Sequence, residues 1–214
     1  MIEIEAKVKH PGAVLDLGRI IHEKLVEPCK CIPKTEPRVF TVEDQYLYDD
    51  KGAAVRFRKE HFASLTSDFT SLKNLVTIKQ KSLVNGVEVN KEDEREISVE
   101  ETTQLVEDYS RRGFKDLGYI KTKTGMCYQF TNGITINAEA VFAVRNGDVY
   151  SVGRYFEIER ILSEDSSQEQ IQDAQKHVLE TIEVLGLDSS QVEPRSWKIL
   201  CAEALSKEEN KYHE

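Results

Sequence analysis

No run of apolar residues in this chain approaches the roughly 18 that a membrane-spanning helix needs. The N-terminal Met1-Ile2-Glu3-Ile4-Glu5 carries acid where a secretory signal has a basic start and an apolar core. These absences predict a cytoplasmic protein with no membrane partner. Cysteine is also scarce, with four irregularly spaced residues, Cys29, Cys31, Cys127 and Cys201. Cys29 and Cys31 stand too close for a zinc knuckle, and no second His or Cys pair follows. They are read as reduced, structural thiols. No Pro/Gly/Ser linker and no internal repeat divides the 214 residues, so one domain over 1–205 is expected, with a charged tail over 206–214. Basic residues are the minority, 29 against 38 acidic ones, for a net charge of −9. That excludes long nucleic acids as expected partners, because non-specific binding relies on Lys and Arg displacing counterions. It leaves room for a local basic pocket.

What the sequence does contain is strand pattern. Alternation predicts strands over 2–8, 40–48, 53–59, 74–82, 87–99, 117–123, 126–130, 134–142 and 155–162. Turns are expected at 49–52, at Asn85-Gly86, at Asn132-Gly133 and at 145–148, and 61–73, rich in Ser and Thr, reads as an exposed excursion. Helices are expected over 12–26, over 100–113, behind a Ser166/Glu169 capping box and from about Arg195. The class is α+β.

The polar faces of these strands carry charge of a defined kind. Glu3, Glu5 and Lys7 oppose Ile2, Ile4, Ala6 and Val8. Arg56 and Arg58 oppose Val55 and Phe57; Thr77, Lys79 and Lys81 oppose Val76 and Ile78. Lys121 and Lys123 share a face, as do Thr135, Asn137 and Glu139, and Glu157 with Glu159. Period two puts each set on one side of its sheet. One such strand is an ordinary solvated face. Six of them, with acid pairs at both ends of the chain and basic pairs between, describe a common charged surface or lumen once helices cover the apolar side. Carboxylates are hard ligands for Mg²⁺ or Mn²⁺, and Lys and Arg bind phosphate oxygens.

Glu3-Ile4-Glu5-Ala6-Lys7 resembles the ExExK signature of the CYTH family, the triphosphate tunnel metalloenzymes. The resemblance continues in order through Val55-Arg56-Phe57-Arg58, Thr77-Ile78-Lys79, Arg95-Glu96, Lys121-Thr122-Lys123, Phe156-Glu157-Ile158-Glu159 and Ser196-Trp197-Lys198-Ile199-Leu200, over roughly 2–200. It implies an eight-stranded antiparallel β tunnel, a closed barrel with flanking helices. It implies that Glu3, Glu5, Glu157 and Glu159 hold Mg²⁺ or Mn²⁺, and that Lys7, Arg56, Arg58, Lys79, Arg95, Lys121 and Lys123 grip a triphosphate. Glu3, Glu5, Lys7 and Glu159 are its expected catalytic set. Two positions depart from the family pattern. Asn137 stands where an Asp is usual, with Glu139 two residues on and on the same face as a substitute metal ligand. Lys123 stands where Arg is common, without the bidentate fork.

The activity so implied is metal-dependent hydrolysis of inorganic triphosphate, a nucleoside triphosphate or thiamine triphosphate. The alternatives are a class IV adenylyl cyclase, a non-catalytic polyphosphate-binding module and a plain structural domain. The cyclase reading lacks a His-Phe pair ahead of ExExK, and His10, His22, His61, His177 and His213 all lie off the charged strands. Counting four Glu against six Lys and Arg, the lumen is expected to be basic by about two charges.

Overall fold

In the computed structural model, eight strands close into an antiparallel barrel with spatial order β1-β5-β4-β3-β2-β6-β7-β8, β8 returning to pair with β1. The structure describes residues 1–28, 31–84 and 87–211, without the side chains of 81–84 and 208–211. Cys29, the Asn85-Gly86 turn and His213 therefore lie outside the described residues, as does the side chain of Lys81. The strands are β1 (Ile2–Lys9), β2 (Arg38–Tyr48), β3 (Ala54–Ser64), β4 (Thr70–Val84), β5 (Val87–Glu96), β6 (Lys115–Gln129), β7 (Ile134–Arg145) and β8 (Asp148–Leu162). The helices are α1 (Val14–Ile21), α2 (Val99–Arg111), α3 (Gln168–Val184) and α4 (Trp197–Lys211).

Several strands are longer than alternation suggested. The segments 117–123 and 126–130 are one strand, β6, and β8 begins at Asp148. The Ser/Thr-rich stretch 61–73 is the end of the β3–β4 hairpin: Phe62 pairs with Ser71 and His61 with Leu72. Backbone pairing with a neighbour decides these residues against their loop-like composition. The helix predicted over 12–26 is α1 followed by one π turn, His22–Val26. The cap of α3 is Ser167 with Gln170, one residue later than Ser166/Glu169. The last helix starts at Trp197 and continues to Lys211, into the segment expected to be a tail.

The apolar core lies outside the barrel wall. Ile2, Ile4, Ala6 and Val8 of β1, with Ile136, Ala138, Phe156 and Ile158, pack under Leu17 and Ile21 of α1 and Ala174, Val178 and Ile182 of α3. A second cluster places α2 over Leu47, Val55, Phe57 and Val76. Leu200, Cys201 and Leu205 of α4 pack on Tyr119, Val141, Ala143 and Tyr155. Residues 2–8 of β1 are buried on both faces, although one face is Glu3, Glu5 and Lys7. Covering the apolar side leaves the charged sides of the strands pointing inward.

Barrel closure makes one backbone approach too tight for a side chain. Gly125 of β6 lies opposite Glu139 of β7. A Cβ there would collide with the Ala138 carbonyl oxygen and come within 2.9 Å of the Glu139 Cα. Because both are backbone, the ladder itself must shift. Gly125→Ala is expected to cost about 3 kcal/mol, at the upper end of the usual overpacking range, measured as a fall in the urea midpoint.

Candidate functional site: a charged tunnel

The cations expected from the sequence converge in the lumen, with one exception. Arg56 and Arg58 come from β3, Lys79 from β4, Lys121 and Lys123 from β6, and Lys7 from β1. Lys7, Lys121 and Lys123 are at most 4% exposed. Arg95 is the exception. Its β5 register puts it on the outer surface, where it is exposed and pairs with Glu101 of α2 at 3.4 Å. The inward residues of β5 are Glu88, Asn90, Glu92 and Glu94, which lie opposite Glu5, Glu3, Lys79 and Thr77 of the neighbouring strands. Arg95 is one position out of phase with them.

Every lumen cation has a carboxylate. The Arg58 Nε and Nη2 donate to the two Asp44 oxygens at 2.7 and 3.0 Å. The Lys121 ammonium sits 2.8 Å from the same Asp44. Asp44 is fully buried. Burial would raise its carboxyl, but the charges of Arg58 and Lys121 hold it well below the usual range. Arg56 donates to Thr77 Oγ1 at 3.0 Å and to Glu94 at 3.1 Å. Lys79 lies 2.7 Å from Glu92, 3.2 Å from Glu3 and 3.8 Å from Glu5. Lys7 is bonded to Glu88 and lies 3.9 Å from Glu5. Lys123 lies 2.5 Å from Glu157 and 3.0 Å from Glu139.

These contacts overturn the expected basic excess of the lumen. Six cations face nine carboxyl groups: Glu3, Glu5, Asp44, Glu88, Glu92, Glu94, Glu139, Glu157 and Glu159. No basic excess remains, and Arg38, Lys73 and Glu60 add further charge of both signs in the barrel's other half. Burial raises Glu3 well above the ordinary range, and the Glu5 and Glu92 charges add to the rise against Lys79. Burial, with the charge of Glu157, pushes Glu139 and Glu159 up to about 8. Glu5 is held low: Lys79 and Lys7 outweigh its burial. With Glu139 and Glu159 pushed toward their protonated forms at neutral pH, the negative charge of the lumen is smaller than its carboxyl count.

Three of the expected metal ligands come together. One carboxylate oxygen each from Glu3, Glu5 and Glu159 lie within 4.8 Å of one another. Glu157 and Glu139 are instead held by Lys123, and Glu157 also accepts from Trp197 Nε1 at 3.2 Å. Burial, with neighbouring carboxylates adding to it, disfavours bare charge on Glu3 and Glu159; a divalent cation would offset that, and an all-oxygen donor set suits Mg²⁺ or Mn²⁺.

The lumen has two chambers. The first, about 510 Å³, opens between the β2–β3 turn and the start of α4, and reaches Glu3, Glu5, Arg56, Lys79 and Lys121. Trp197 stands at its wall, its ring centroid 4.7 Å from the Lys123 ammonium and 5.5 Å from that of Lys7. The second, about 540 Å³, opens at the other end, among Arg38, Phe40, Phe62 and Ile161. Arg58, Lys123, Glu157 and Glu159 border both and form a waist. Asn137 lines the second chamber, opposite Glu157.

The sequence reading missed Asp44, Glu88, Glu92 and Glu94. Asp44 is two residues before Tyr46 on one strand face. The β5 acids also repeat every second residue, but Lys91, Asp93 and Arg95 put charge on the opposite face too, which hides the alternation.

No protein-family model and no curated protein matches this chain. Solved structures do match. The PH1819 protein of Pyrococcus horikoshii OT3 superposes with a TM-score of 0.66 at 20% identity, over 97% of this chain and 99% of that one. The PH1012 protein of the same organism gives 0.63 at 24% identity, over 92% and 98%. The RNA triphosphatase domain of the mimivirus mRNA capping enzyme aligns more loosely, at 0.49 and 12% identity over 86% and 89%. These likenesses concern the fold; the chemistry of the lumen rests on its own side chains. No helix among the described residues is long and apolar enough to cross a membrane.

Proposed function

We propose that the tunnel hydrolyses a triphosphate-containing substrate with the help of a divalent cation. The carrying observation is the meeting of six buried or half-buried cations with a three-carboxylate cluster inside one closed barrel. Buried charge on this scale costs stability unless it is paired. Lumen side chains with no role inside the barrel would serve the fold better as apolar residues.

In this reading Arg56, Arg58, Lys79, Lys121 and Lys123 take the phosphate oxygens, each exchanging a carboxylate partner for a phosphate. Arg58, whose fork is already bidentate on Asp44, is preorganised for that geometry. Lys7 lies deeper, beside Trp197 and Glu88, and acts through the field it places on Glu5. Glu3, Glu5 and Glu159 would hold the divalent cation, which when bound would supply charge neutralisation at the phosphates and a lowered pKa for a water. A polyphosphate entering a lumen whose cations are already paired competes with their carboxylates, so in this reading it would arrive together with its divalent cation. The fixed ammonium and guanidinium groups then stabilise charge that develops on the leaving phosphate. The metal ligation and phosphate binding implied by the CYTH resemblance enter here without Arg95 and Lys7 among the phosphate ligands and without Glu157 and Glu139 among the metal ligands.

The test is a substrate panel. Purified protein with Mg²⁺ or Mn²⁺ is given inorganic triphosphate, ATP, GTP and thiamine triphosphate. Orthophosphate release from at least one, lost on chelation, is the expected result. Pyrophosphate with cyclic AMP would replace hydrolysis by cyclisation. Tight binding without product would make the tunnel a binding module.

A further inference from the structure

The second chamber has a feature that phosphate binding does not use. Phe40, Val42, Cys127 and Phe62 form an apolar cluster that points into the lumen, away from every helix. The other apolar clusters seal a helix onto the outside of the wall. This one lines open space of about 540 Å³, within the usual range for a small-molecule pocket. Its Phe40 and Phe62 rings lie 5.6 Å apart and tilted by 37°. Arg38 covers Phe69 of the same chamber, 4.5 Å from its centroid, but no cation stands over Phe40 or Phe62 among the described residues. In the first chamber the aromatic faces are taken by the protein's own cations. Lys121 lies over Tyr46, Lys198 is 4.0 Å from the Tyr48 centroid, and three lysines surround Trp197. Gln129, Thr135 and Asn137 bring amide and hydroxyl groups to the second chamber, and these can read the edge of a ring.

We propose that the second chamber seats the base of a nucleoside triphosphate against Phe40 and Phe62, while its phosphates pass the Arg58–Lys123 waist into the first chamber. This names the substrate class and rests on the triphosphate reading. Base stacking on an aromatic side chain tolerates any base, so the chamber selects nucleotides over inorganic triphosphate before it selects among bases.

Calorimetric titration in Mg²⁺ tests it. The β,γ-imido analogues of ATP and GTP are compared with diimidotriphosphate on the full chain. The wild type is expected to prefer the nucleotide analogues by on the order of tenfold, the scale of one base stacked on an aromatic ring. Phe62→Ala is expected to remove most of that preference, and Phe62→Leu, which keeps apolar volume without the ring, to do the same if the alanine variant does not fold. Equal affinities in the wild type, or a preference unchanged in the Phe62 variants, overturns the proposal. So does a preference that vanishes in Tyr48→Ala instead, and so does displacement of the nucleotide by free thiamine more strongly than by adenosine or guanosine. Orthophosphate release is followed separately. Nucleotide preference without release from any triphosphate keeps the chamber and removes the hydrolase. Release from inorganic triphosphate without nucleotide preference does the reverse.

Discussion

Glu5→Gln and Glu159→Gln will each lower metal-dependent orthophosphate release by on the order of 100-fold to 1,000-fold, the scale found when one electrostatic element of a site is removed. Glutamine keeps the size and one oxygen but supplies no charge. In Glu5 the lost charge is the one the fold protects, since Lys79 and Lys7 hold that carboxyl low against its burial. In Glu159 the charge is unwelcome without a cation: burial, Glu157 and Glu5 push its carboxyl up to about 8. The two variants therefore separate by stability. A carboxyl whose folded pKa lies above its unfolded value binds an extra proton in the folded state, so its contribution falls as pH rises from about 4.5 to about 8. Glu159→Gln cannot ionise and escapes that loss. It should melt higher than the wild type at pH 8 without divalent cation, while losing turnover. Metal titrations of phosphate release and thermal scans with and without Mn²⁺ check both halves. Full activity in both variants would remove the cluster from the site.

Asp44→Ala will destabilise the chain by about 3–5 kcal/mol, the range for stripping one partner from a buried ion pair. Asp44 is the carboxylate in direct ion pairs with both Arg58 and Lys121, so its loss strips two buried cations of their described ion-pair partner. Asp44→Asn keeps the shape and should fall only part of the way. The depressed carboxyl fixes the pH dependence. Its contribution is present above the ordinary value of 3.8 and is lost as pH falls through the lower folded value. The gap between wild type and Asp44→Asn should thus be flat from neutral pH to about pH 4 and close in stronger acid. The uncovered cations also predict a rescue. Triphosphate with Mg²⁺ should raise the melting temperature of Asp44→Ala by more than that of the wild type, because it supplies the missing negative charge to the folded state alone. Urea midpoints measure the cost. Fluorescence of Trp197, the single tryptophan, follows binding, since it sits among the lysines that take the phosphates.

Much of this was legible because strand side chains alternate. Each charged set named from the sequence lies on one face of its strand, and the face is the inner one for Glu3, Glu5, Lys7, Arg56, Arg58, Lys79, Lys121, Lys123, Glu139, Glu157 and Glu159. Arg95 went wrong for the same reason that the β5 acids went unseen. In Val87–Glu96 both faces carry charge, so polarity cannot say which face turns inward. Only the pairing of Lys79 with Glu92 and of Thr77 with Glu94 settles the phase.

The sequence by itself determined the strands, their two faces and the residue types available to bind phosphate and metal, because period-two geometry is local. The tertiary structure decided the rest. Closure of β8 onto β1 turned separate charged faces into one lumen. Register chose which carboxylate meets which cation, gathering Glu3, Glu5 and Glu159 while giving Glu157 and Glu139 to Lys123. It also removed the expected basic excess of the lumen, by setting a carboxylate against each of the six cations. Pairing across strands depends on residues far apart in the chain: Lys7 meets Glu88, and Asp44 meets Lys121. No local pattern holds that information, since it exists only once the barrel is shut.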